Sequence, residues 1–352
     1  MPKAFVATII GCDTDPIMSS LCDKMGISWE RVINNIFKLK EMFDQINFEK
    51  MSQPRITWLL RSDTQMKIIY GDYAYPVRHF FDFWKNFKNQ GDEIGWHPHF
   101  WNWSEQRKCW YPVLKNLKWI ENCLNRGYSA LCHYFKPTSV RVGFDFQSNY
   151  TMQKLADLGL IVDFSALPGL KVIGFSISDP PCYHDWEITS PEFYFPSTTD
   201  YRRKAEKGED CLKILEMPIS PVRVPTYRAI AKYLYHNSML NLKMGFCGLK
   251  IPFKCQRQEP ILVARHSRLI RLAIEKKFRI AKQKDCTTYL ISYFHPEDLG
   301  NIRAPEGIRS LSNFKKNLLF ILKTSKIYDI PVKFLTATEA AREYISKIHT
   351  SK

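Results

Sequence analysis

Short apolar runs alternate with amphipathic segments along most of this 352-residue chain. In the segment 29–48 apolar residues recur at helical spacing, whereas runs such as 5–11 and 287–294 have the length of strands. Strands that alternate with helices imply a parallel sheet with helices outside it. We therefore expect an α/β fold, an irregular (β/α) barrel of about seven parallel strands with helical insertions. The predicted strands are 5–11, 55–60, 93–96, 139–142, 161–164, 214–219, 287–294 and 332–335, and the predicted helices are 29–48, 77–88, 106–126, 148–158, 310–324 and 337–347.

Two segments break this alternation. One is 168–213, which is rich in Pro, Tyr and Asp, and the other is 226–284, which reads as helical and basic. A single α/β barrel often exceeds 200 residues, so length alone does not require two domains. We interpret both segments as insertions in one barrel domain that spans residues 1–352.

The cysteines and the N-terminal residues indicate which cellular compartment to expect for the protein. The first residues contain no apolar stretch followed by a cleavage site, so we expect no signal peptide. No run approaches the ~18 apolar residues of a membrane span. The ten cysteines are scattered without C-x-x-C pairs. An oxidised framework is conceivable, but a reducing cytoplasm explains this usage more simply.

A pair of histidines follows the predicted strand 93–96. His97 and His99 are two residues apart, so an extended backbone would point both rings to the same side. Two imidazoles joined by a carboxylate form a divalent-metal site, and Asp13 or Asp15 after the first strand could supply it. The alternative is that both histidines are ordinary polar residues in an aromatic-rich loop.

Other polar residues also lie at or just after the ends of predicted strands. In parallel α/β folds, the carboxyl ends of the strands surround the active site. A collection of polar and metal-competent residues at this rim favours a functional site over scattered surface groups. These residues are Asp13, Asp15, Asp63, His97, His99, Arg141, Asp163 and His295.

These positions resemble the motifs of the polysaccharide deacetylase family, also known as carbohydrate esterase family 4 or the NodB-homology domain. The similarity follows the family's motif order over most of the chain, and part of it is similar to a branch that acts in lipopolysaccharide or O-antigen biosynthesis. The matching segments are 8–15 (TIIGCDTD), 91–97 (GDEIGWH), 139–143 (SVRVG), 163–165 (DFS), 185–186 (DW), 195–197 (FPS), 215–218 (LEMP) and 293–299 (YFHPEDL).

The resemblance implies metal-dependent removal of an N-acetyl or related acyl group from an amino sugar, with Zn²⁺ as the first choice of metal. Water on such an ion becomes a nucleophile near neutral pH. Residue by residue, the resemblance makes Asp13 the general base, Arg141 the residue that holds it, and His295 the general acid. It makes Asp15 and His97 metal ligands.

Three departures from the family pattern affect the metal site. Thr14 separates acids that are usually adjacent, a spacing that resembles branches with D-x-E or D-x-D. The second metal histidine normally falls four residues after the first, and that position here is Trp101. His99 is the evident substitute, although Pro98 fixes part of the backbone there. The third motif continues with Gly143 where a proline often stands.

The expected substrate is a carbohydrate in lipid-linked, nucleotide-linked or polymeric form. Aromatic residues near the motifs suit stacking on sugar rings, although most aromatic residues of any domain lie in its core. The residues expected to contact substrate are Asp63, Trp96, Trp101, Asp163 and Trp186.

The net charge of +16 suggests an anionic partner. Much of it falls between residues 223 and 284, including Lys250, Lys254 and Arg257, and the segment 261–284 reads as a basic amphipathic helix. This helix could present a solvated face, or it could bind anionic lipid headgroups or a phosphate-bearing glycan carrier at the inner face of the membrane. No nucleic-acid-binding motif accompanies the charge, so we expect no nucleic acid.

Two other functions remain open from sequence. The chain could be a non-catalytic glycan-binding protein on the same barrel, with a metal site degraded at Trp101. It could also tether to a surface through the basic helix. The joint presence of Asp13, Asp15, His97 and His295 favours the hydrolase.

Overall fold

A curled parallel sheet forms the centre of the molecule. The computed structural model describes residues 4–15, 17–18, 22–24, 27–48, 53–173, 182–235, 258–304 and 307–350. The sheet strands are β1 (Val6–Asp13), β2 (Ile56–Leu60), β3 (Glu93–Trp96), β4 (Ser139–Val140), β5 (Val162–Asp163), β6 (Leu215–Glu216), β7 (Thr288–Phe294) and β8 (Val332–Phe334).

Seven strands follow one another in the order β6-β5-β4-β3-β2-β1-β7, and β8 pairs with β1. Every pairing in this sheet is parallel. Along one edge of β1, β8 pairs with Val6–Thr8 and β2 pairs with the residues from Ile10 to Asp13. The curled sheet with helices outside it is an irregular (β/α) barrel, as the sequence predicts.

Burial on both faces explains the composition of β1. All eight of its residues are buried, which is typical of parallel strands covered by helices on one side and by barrel contents on the other. The interior is tightly packed. A Cβ atom added at Gly11 would overlap the Phe164 ring, and one added at Gly95 would overlap Ser139. Glycine therefore lets the curled sheet close around its own side chains.

Ten described helices surround the sheet or extend from it. In α1, for example, apolar residues at helical spacing face inward, and Val32, Ile36, Leu39 and Phe43 are buried. The helices are α1 (Glu30–Asp44), α2 (Thr64–Tyr70), α3 (Tyr75–His79), α4 (Phe81–Asn89), α5 (Leu117–Cys132), α6 (Asn149–Asp157), α7 (Thr226–Tyr235), α8 (Arg268–Lys284), α9 (Leu311–Tyr328) and α10 (Ala337–Thr350), with 3₁₀ turns at Gly143–Asp145 and Pro296–Gly300.

Within the described ranges, five antiparallel strand pairs lie outside the main sheet. They pair Ile17–Met18 with Ile27–Ser28, Trp101–Ser104 with Cys109–Pro112, Lys171–Ile173 with Cys182–Asp185, Pro221–Arg223 with Gln258–Pro260, and Ile302–Ala304 with Gly307–Arg309.

Irregular segments continue the barrel beyond β7. The Ser220 amide donates to the Ile291 carbonyl oxygen (3.0 Å), and the Tyr293 amide donates to Ile261 (3.4 Å). Leu262 forms an isolated parallel bridge with Tyr293. Residues at Ser220 and at Ile261–Leu262 therefore cover the edge of β7.

The sequence prediction was wrong in three places. The first half of the predicted helix 106–126 is the hairpin that ends at Pro112, because proline cannot continue a helix interior and Lys108 has a positive φ of 47°. The predicted helix 77–88 is divided at Phe80 into α3 and α4. Helix α2, absent from the prediction, begins where the Asp63 side chain accepts a hydrogen bond from the Met66 amide.

The basic helix is shorter than predicted, and its apolar stripe is occupied. It begins at Arg268 rather than Ile261, because Ser267 caps it and Ile261 pairs with β7. Its apolar residues Ile270, Ile274, Phe278 and Ala281 are buried in the core. Exposed basic side chains remain on the outer face at Arg268, Arg271, Lys276, Arg279, Lys282 and Lys284.

Parts of both predicted insertions lie outside the described residues, namely 174–181 and 236–257 with Lys250, Lys254 and Arg257. Across the described ranges, no helix has both the length and the hydropathy that crossing a bilayer requires. Cys22 is disulfide-bonded, whereas Cys12, Cys109, Cys123, Cys132, Cys211 and Cys286 are free thiols. Disulfides are uncommon in reducing compartments, so the cytoplasmic location stays a prediction.

Candidate active site

The polar residues predicted to form a site meet at the carboxyl ends of four sheet strands. Asp13 is the last residue of β1, and Asp15 follows it by two residues. His97 follows β3, Arg141 follows β4, and His295 follows β7. Parallel pairing brings these ends to one rim, so residues from distant parts of the chain lie within a few ångströms of one another.

Asp13 is held by a buried guanidinium. The Arg141 Nε donates to Asp13 Oδ2 at 2.9 Å, and both side chains are almost inaccessible to solvent. The other carboxylate oxygen, Oδ1, has no hydrogen-bond partner among the described residues. Arg141 therefore fixes the carboxylate while one of its oxygens remains able to accept a proton.

Arg141 also connects several other elements. Its Nη1 donates to the Phe164 carbonyl oxygen at 2.8 Å, and its Nη2 donates to Asp145. The guanidinium lies 3.8 Å from the centre of the Tyr293 ring. Burial alone would lower its pKa, but the charges of Asp13 and Asp145 raise it, so Arg141 stays protonated. One side chain thus joins β1, the chain after β5, the Gly143–Asp145 turn and β7.

Both nitrogens of His97 face hydrogen-bond acceptors. Its Nδ1 lies 2.5 Å from the Arg141 carbonyl oxygen, so Nδ1 carries a proton. Its Nε2 lies 3.2 Å from Asp15 Oδ2. Burial opposes a charged ring, but Asp13 and Asp15 raise the pKa of His97 above its ordinary value. A cation belongs between Nε2 and Asp15, either a proton or a metal ion.

Asp15 receives positive charge from two sides. The Arg61 Nη1 donates to Asp15 Oδ1 at 2.6 Å, and both metal-site histidines lie within 3.4 Å of the carboxylate. Burial would raise the pKa of Asp15, but His99, His97 and Arg61 hold it well below its usual range. Arg61 is itself fixed by Asp63 (2.6 Å). Asp15 is therefore an ionised carboxylate, as a metal ligand must be.

His99 differs from His97 in its partners. Its Nε2 lies 3.1 Å from His97 Nε2 and 3.4 Å from Asp15 Oδ1, while its Nδ1 accepts a hydrogen bond from Trp101 Nε1 at 2.8 Å. Burial and the nearby Arg61 lower the pKa of His99 to about 4, so the ring is neutral. A neutral ring that accepts at Nδ1 carries its proton on Nε2.

His295 reaches the site from the opposite side. Its Nε2 is 3.7 Å from Asp13 Oδ2, and its Nδ1 is 3.5 Å from Asp298 Oδ2. Burial would lower its pKa, but the hydrogen bond and charge of Asp298, with Asp13 and Asp15, raise the pKa of His295 to about 9. The ring is therefore protonated at neutral pH and can donate a proton.

The donor set fits a divalent cation at Asp15 and His97. Ligand atoms of Asp15, His97 and His99 lie within 4.8 Å of one another, and this is the group of metal-competent residues found in the described part of the chain. The ionised Asp15 carboxylate and the His97 Nε2 lone pair face each other and call for a cation. His99 Nε2 points to the same place but carries a proton in this tautomer.

The five residues predicted to contact substrate have little surface exposed to solvent. The side chains of Asp63, Trp96, Asp163 and Trp186 are fully buried, and Trp101 is nearly so. Each of the five has a protein hydrogen-bond partner: Arg61 and the Met66 amide for Asp63, Ser62 for Trp96, His99 for Trp101, Gln147 and Ser165 for Asp163, and Asp145 for Trp186. The substrate contacts of these five residues stay predictions, and the structure shows that their side chains turn inward, which strand-end position alone does not reveal.

Four residues that sequence reasoning did not single out shape the site. Arg61, Asp145 and Asp298 pair with Asp15, Arg141 and His295. Phe144 is 40% exposed, and its ring contacts those of His99 (5.7 Å) and Trp101 (4.8 Å). The strand-end rule could have found Arg61, which directly follows β2. The other three lie in turns whose direction sequence does not encode.

The comparisons with known proteins concern the fold. No protein-family model matches the chain, and no curated protein matches it. Among solved structures, a Parabacteroides distasonis protein provisionally assigned as a glycoside hydrolase/deacetylase matches 98% of this chain and 73% of its own, with 13% identity and a TM-score of 0.56.

A Mycobacterium smegmatis protein provisionally assigned as a polysaccharide deacetylase matches 99% of this chain and 93% of its own, at 11% identity and a TM-score of 0.46, which is too low to carry an argument. The similarity to the Parabacteroides distasonis protein shows that the two chains share a fold. At 13% identity it shows nothing beyond the fold. It confirms the barrel that the resemblance implied.

The Arg141–Asp13 pair generates a stability prediction. Arg141→Met should lower the free energy of unfolding by about 3–5 kcal/mol, because it leaves the Asp13 charge buried without its partner. The double variant Arg141→Met/Asp13→Asn should recover part of this loss, since the uncompensated charge at position 13 is removed while Asp145 still lacks its partner. Urea unfolding in EDTA measures both, and a single-variant loss below about 1 kcal/mol would contradict the role of this pair.

Proposed function

We propose that this protein is a metal-dependent hydrolase of the polysaccharide deacetylase type, which removes an N-acetyl or related acyl group from an amino sugar. The observation that carries the proposal is the meeting of Asp13, Asp15, His97 and His295 at one rim of the barrel. A held carboxylate, a metal-competent pair and a protonated imidazole are the three kinds of group that amide hydrolysis requires.

Asp15 and His97 would hold the metal ion, and His99 would complete the set in its other tautomer. The His97 nitrogen and the Asp15 carboxylate, with positions open for water, suit Zn²⁺. Such an ion supplies an activated water and stabilises negative charge on the acyl oxygen. The carbonyl oxygen of Arg141 fixes the His97 ring through Nδ1, which is the usual outer support of a metal-binding histidine.

Asp13 acts as the general base. Arg141 holds its Oδ2, which leaves Oδ1 able to take a proton from the attacking water. Because Arg141 is fixed by Asp145 and the Phe164 carbonyl oxygen, the carboxylate keeps one orientation. A base that is held in place loses little entropy in the reaction.

His295 acts as the general acid. Asp298 supports its charged form from the Nδ1 side, and Nε2 faces the two aspartates. The proton on Nε2 is delivered to the departing amine of the sugar, which would otherwise leave as an unstable anion. Asp13 and His295 thus divide proton removal and proton donation between them.

The exposed Phe144 ring beside His99 would contact the substrate, since aromatic faces pack on sugar rings. A lipid-linked or nucleotide-linked sugar in lipopolysaccharide biosynthesis is the proposed substrate. The exposed cations of α8 would attract an anionic membrane or carrier, in keeping with a peripheral position at the inner membrane face.

A glycan-binding protein without catalysis is the second candidate. It is favoured by Trp101, which occupies the position of a metal histidine and donates to His99. Only the hydrolase would convert its substrate, whereas the glycan-binding protein would bind it unchanged. Release of acetate or another acyl group from a panel of N-acylated amino-sugar substrates supports the hydrolase, whereas binding without release at any metal tested supports the second candidate.

Two substitutions test the catalytic roles. Asp13→Asn should lower turnover by about 10²–10⁴-fold because an amide cannot accept the proton, and His295→Ala should lower it similarly through loss of the acid. Zn²⁺ content and the circular dichroism spectrum should stay unchanged in Asp13→Asn. Near-wild-type acyl release by both variants would refute the mechanism.

The pH profile tests the support of His295 by Asp298. The acid form of His295 is present below its pKa of about 9 and is lost above it, so kcat/KM should fall on the alkaline side near that pH. Asp298→Asn removes the largest contribution that raises this pKa, so the alkaline limb should move to lower pH. An alkaline limb that stays in place in Asp298→Asn would show that another group supplies the proton.

The basic face of α8 generates a binding prediction. Because the apolar residues of α8 are buried, attachment to anionic vesicles should be electrostatic and should weaken as the Debye length falls from ~10 Å at 0.1 M salt to ~3 Å at 1 M. Arg268→Glu/Arg279→Glu should reduce pelleting at low salt. The charge-matched control Lys118→Glu/Arg126→Glu on α5 should reduce it less. Absence of pelleting at low salt would leave a solvated helix face.

A further inference from the structure

The two metal-site histidines have different hydrogen-bond environments, and the difference originates in Trp101. We propose that Trp101 fixes the tautomer of His99 and thereby limits the metal ligands of the resting protein to Asp15 and His97. The proposal rests on the metal-dependent function proposed above. It makes Trp101 a positioning residue that acts on the metal through His99.

The hydrogen-bond partners of His99 determine where its ring proton lies. A neutral imidazole has one N–H, and an indole Nε1 can donate a hydrogen bond but cannot accept one. Trp101 Nε1 lies 2.8 Å from His99 Nδ1, so Nδ1 must supply the lone pair. The ring proton is then on Nε2, and a protonated Nε2 has no lone pair for a metal ion.

When no metal ion is bound, the N–H at His99 Nε2 has a hydrogen-bond acceptor nearby. Asp15 Oδ1 lies 3.4 Å away, and His97 Nε2 lies 3.1 Å away. The Asp15 carboxylate oxygen is an acceptor for this proton, whereas His97 Nε2 itself faces Asp15 Oδ2 at 3.2 Å. His99 therefore has a donor partner at Nδ1 and a carboxylate acceptor at Nε2, whereas His97 faces acceptors at both nitrogens.

Packing keeps the His99 ring in this orientation. A Cβ atom added at Gly143 would overlap the ring, so the backbone of the Gly143–Asp145 turn lies against it. Trp101 lies nearly parallel to the ring with centroids 6.4 Å apart, and Phe144 covers another side. His99 and Trp101 are both buried.

The hairpin that carries Trp101 fixes the indole in turn. Trp101 pairs with Pro112, and Trp103 pairs with Trp110 in the same two-stranded sheet. The Val113 amide donates to the Phe100 carbonyl oxygen at 2.9 Å directly beside Trp101. These contacts fix the Trp101 backbone, and its buried indole is packed against the Phe144 ring (4.8 Å between centroids).

Binding of a metal by His99 requires two changes. The proton must move from Nε2 to Nδ1, which is a shift of tautomer with no net gain or loss of protons. The Trp101 N–H must also leave Nδ1, because two N–H groups cannot face each other at hydrogen-bond distance. Removing the indole N–H should therefore release a third ligand and tighten metal binding.

Zn²⁺ titration against a competing chelator tests this with four variants and the wild type. His99→Ala should change the Zn²⁺ affinity of the wild type by less than about threefold, whereas His97→Ala should abolish most binding. Trp101→Phe should tighten binding by about 10–100-fold, the range that outer-shell partners typically control. Trp101→Phe/His99→Ala should lose that gain.

Trp103→Phe is the matched control, because Trp103 lies in the same hairpin and its ring packs on Trp110 (5.3 Å). It should leave the Zn²⁺ affinity unchanged. Phenylalanine at position 101 retains an aromatic ring without the N–H, and thermal unfolding of each variant checks that the hairpin remains folded.

Long-range ¹H–¹⁵N NMR of the metal-free protein reads the tautomer directly. Wild-type His99 should show a protonated Nε2 and an unprotonated Nδ1, and Trp101→Phe should shift the population towards protonated Nδ1. A protonated Nδ1 in the wild type would overturn the proposal, as would a loss of Zn²⁺ affinity in His99→Ala as large as that in His97→Ala. Absence of Zn²⁺ binding in every variant would instead overturn the metal assignment of the proposed function.

Discussion

The buried Arg141 guanidinium is the interaction on which the rest of the site depends. It donates hydrogen bonds to the Asp13 carboxylate and to the Phe164 carbonyl oxygen after β5. It also forms an ion pair with Asp145 and packs on the Tyr293 ring. Removing a charged partner from such a cluster leaves an uncompensated charge, which is far more destabilising than losing an exposed ion pair. The same contacts that close the barrel rim therefore orient the candidate base, so the stability of the rim and the proposed catalysis depend on one residue.

The positive and negative groups at the rim are nearly matched, and this explains their protonation. Asp15 lies against the Arg61 guanidinium and beside His97, while His295 is surrounded by Asp13, Asp15 and Asp298. Each buried charge thus has a partner of opposite sign, as burial requires. The arrangement keeps a carboxylate ionised and an imidazole protonated in the same small volume, which is the division of roles that acid–base hydrolysis needs.

The groups that hydrogen-bond His97 and His99 distinguish two residues that look equivalent in the sequence. His97 and His99 share one motif and one face, but a carbonyl oxygen supports the first and an indole N–H the second. Only the first arrangement leaves Nε2 with a lone pair for a metal. Helix α8 likewise has two distinct faces. Its apolar residues pack on the barrel, whereas its basic residues lie on the outer surface.

The sequence by itself determined the barrel, most of its strands and the candidate residues Asp13, Asp15, His97, Arg141 and His295, because strand and helix periods are local and parallel strands place their carboxyl ends together. Only the tertiary structure decided that Asp63, Asp163, Trp96 and Trp186 turn inward, that Pro112 ends a hairpin, and that Asp145 and Asp298 support Arg141 and His295. Side-chain direction in turns and the proton positions of His97 and His99 depend on contacts between segments far apart in the chain, and no local pattern encodes them.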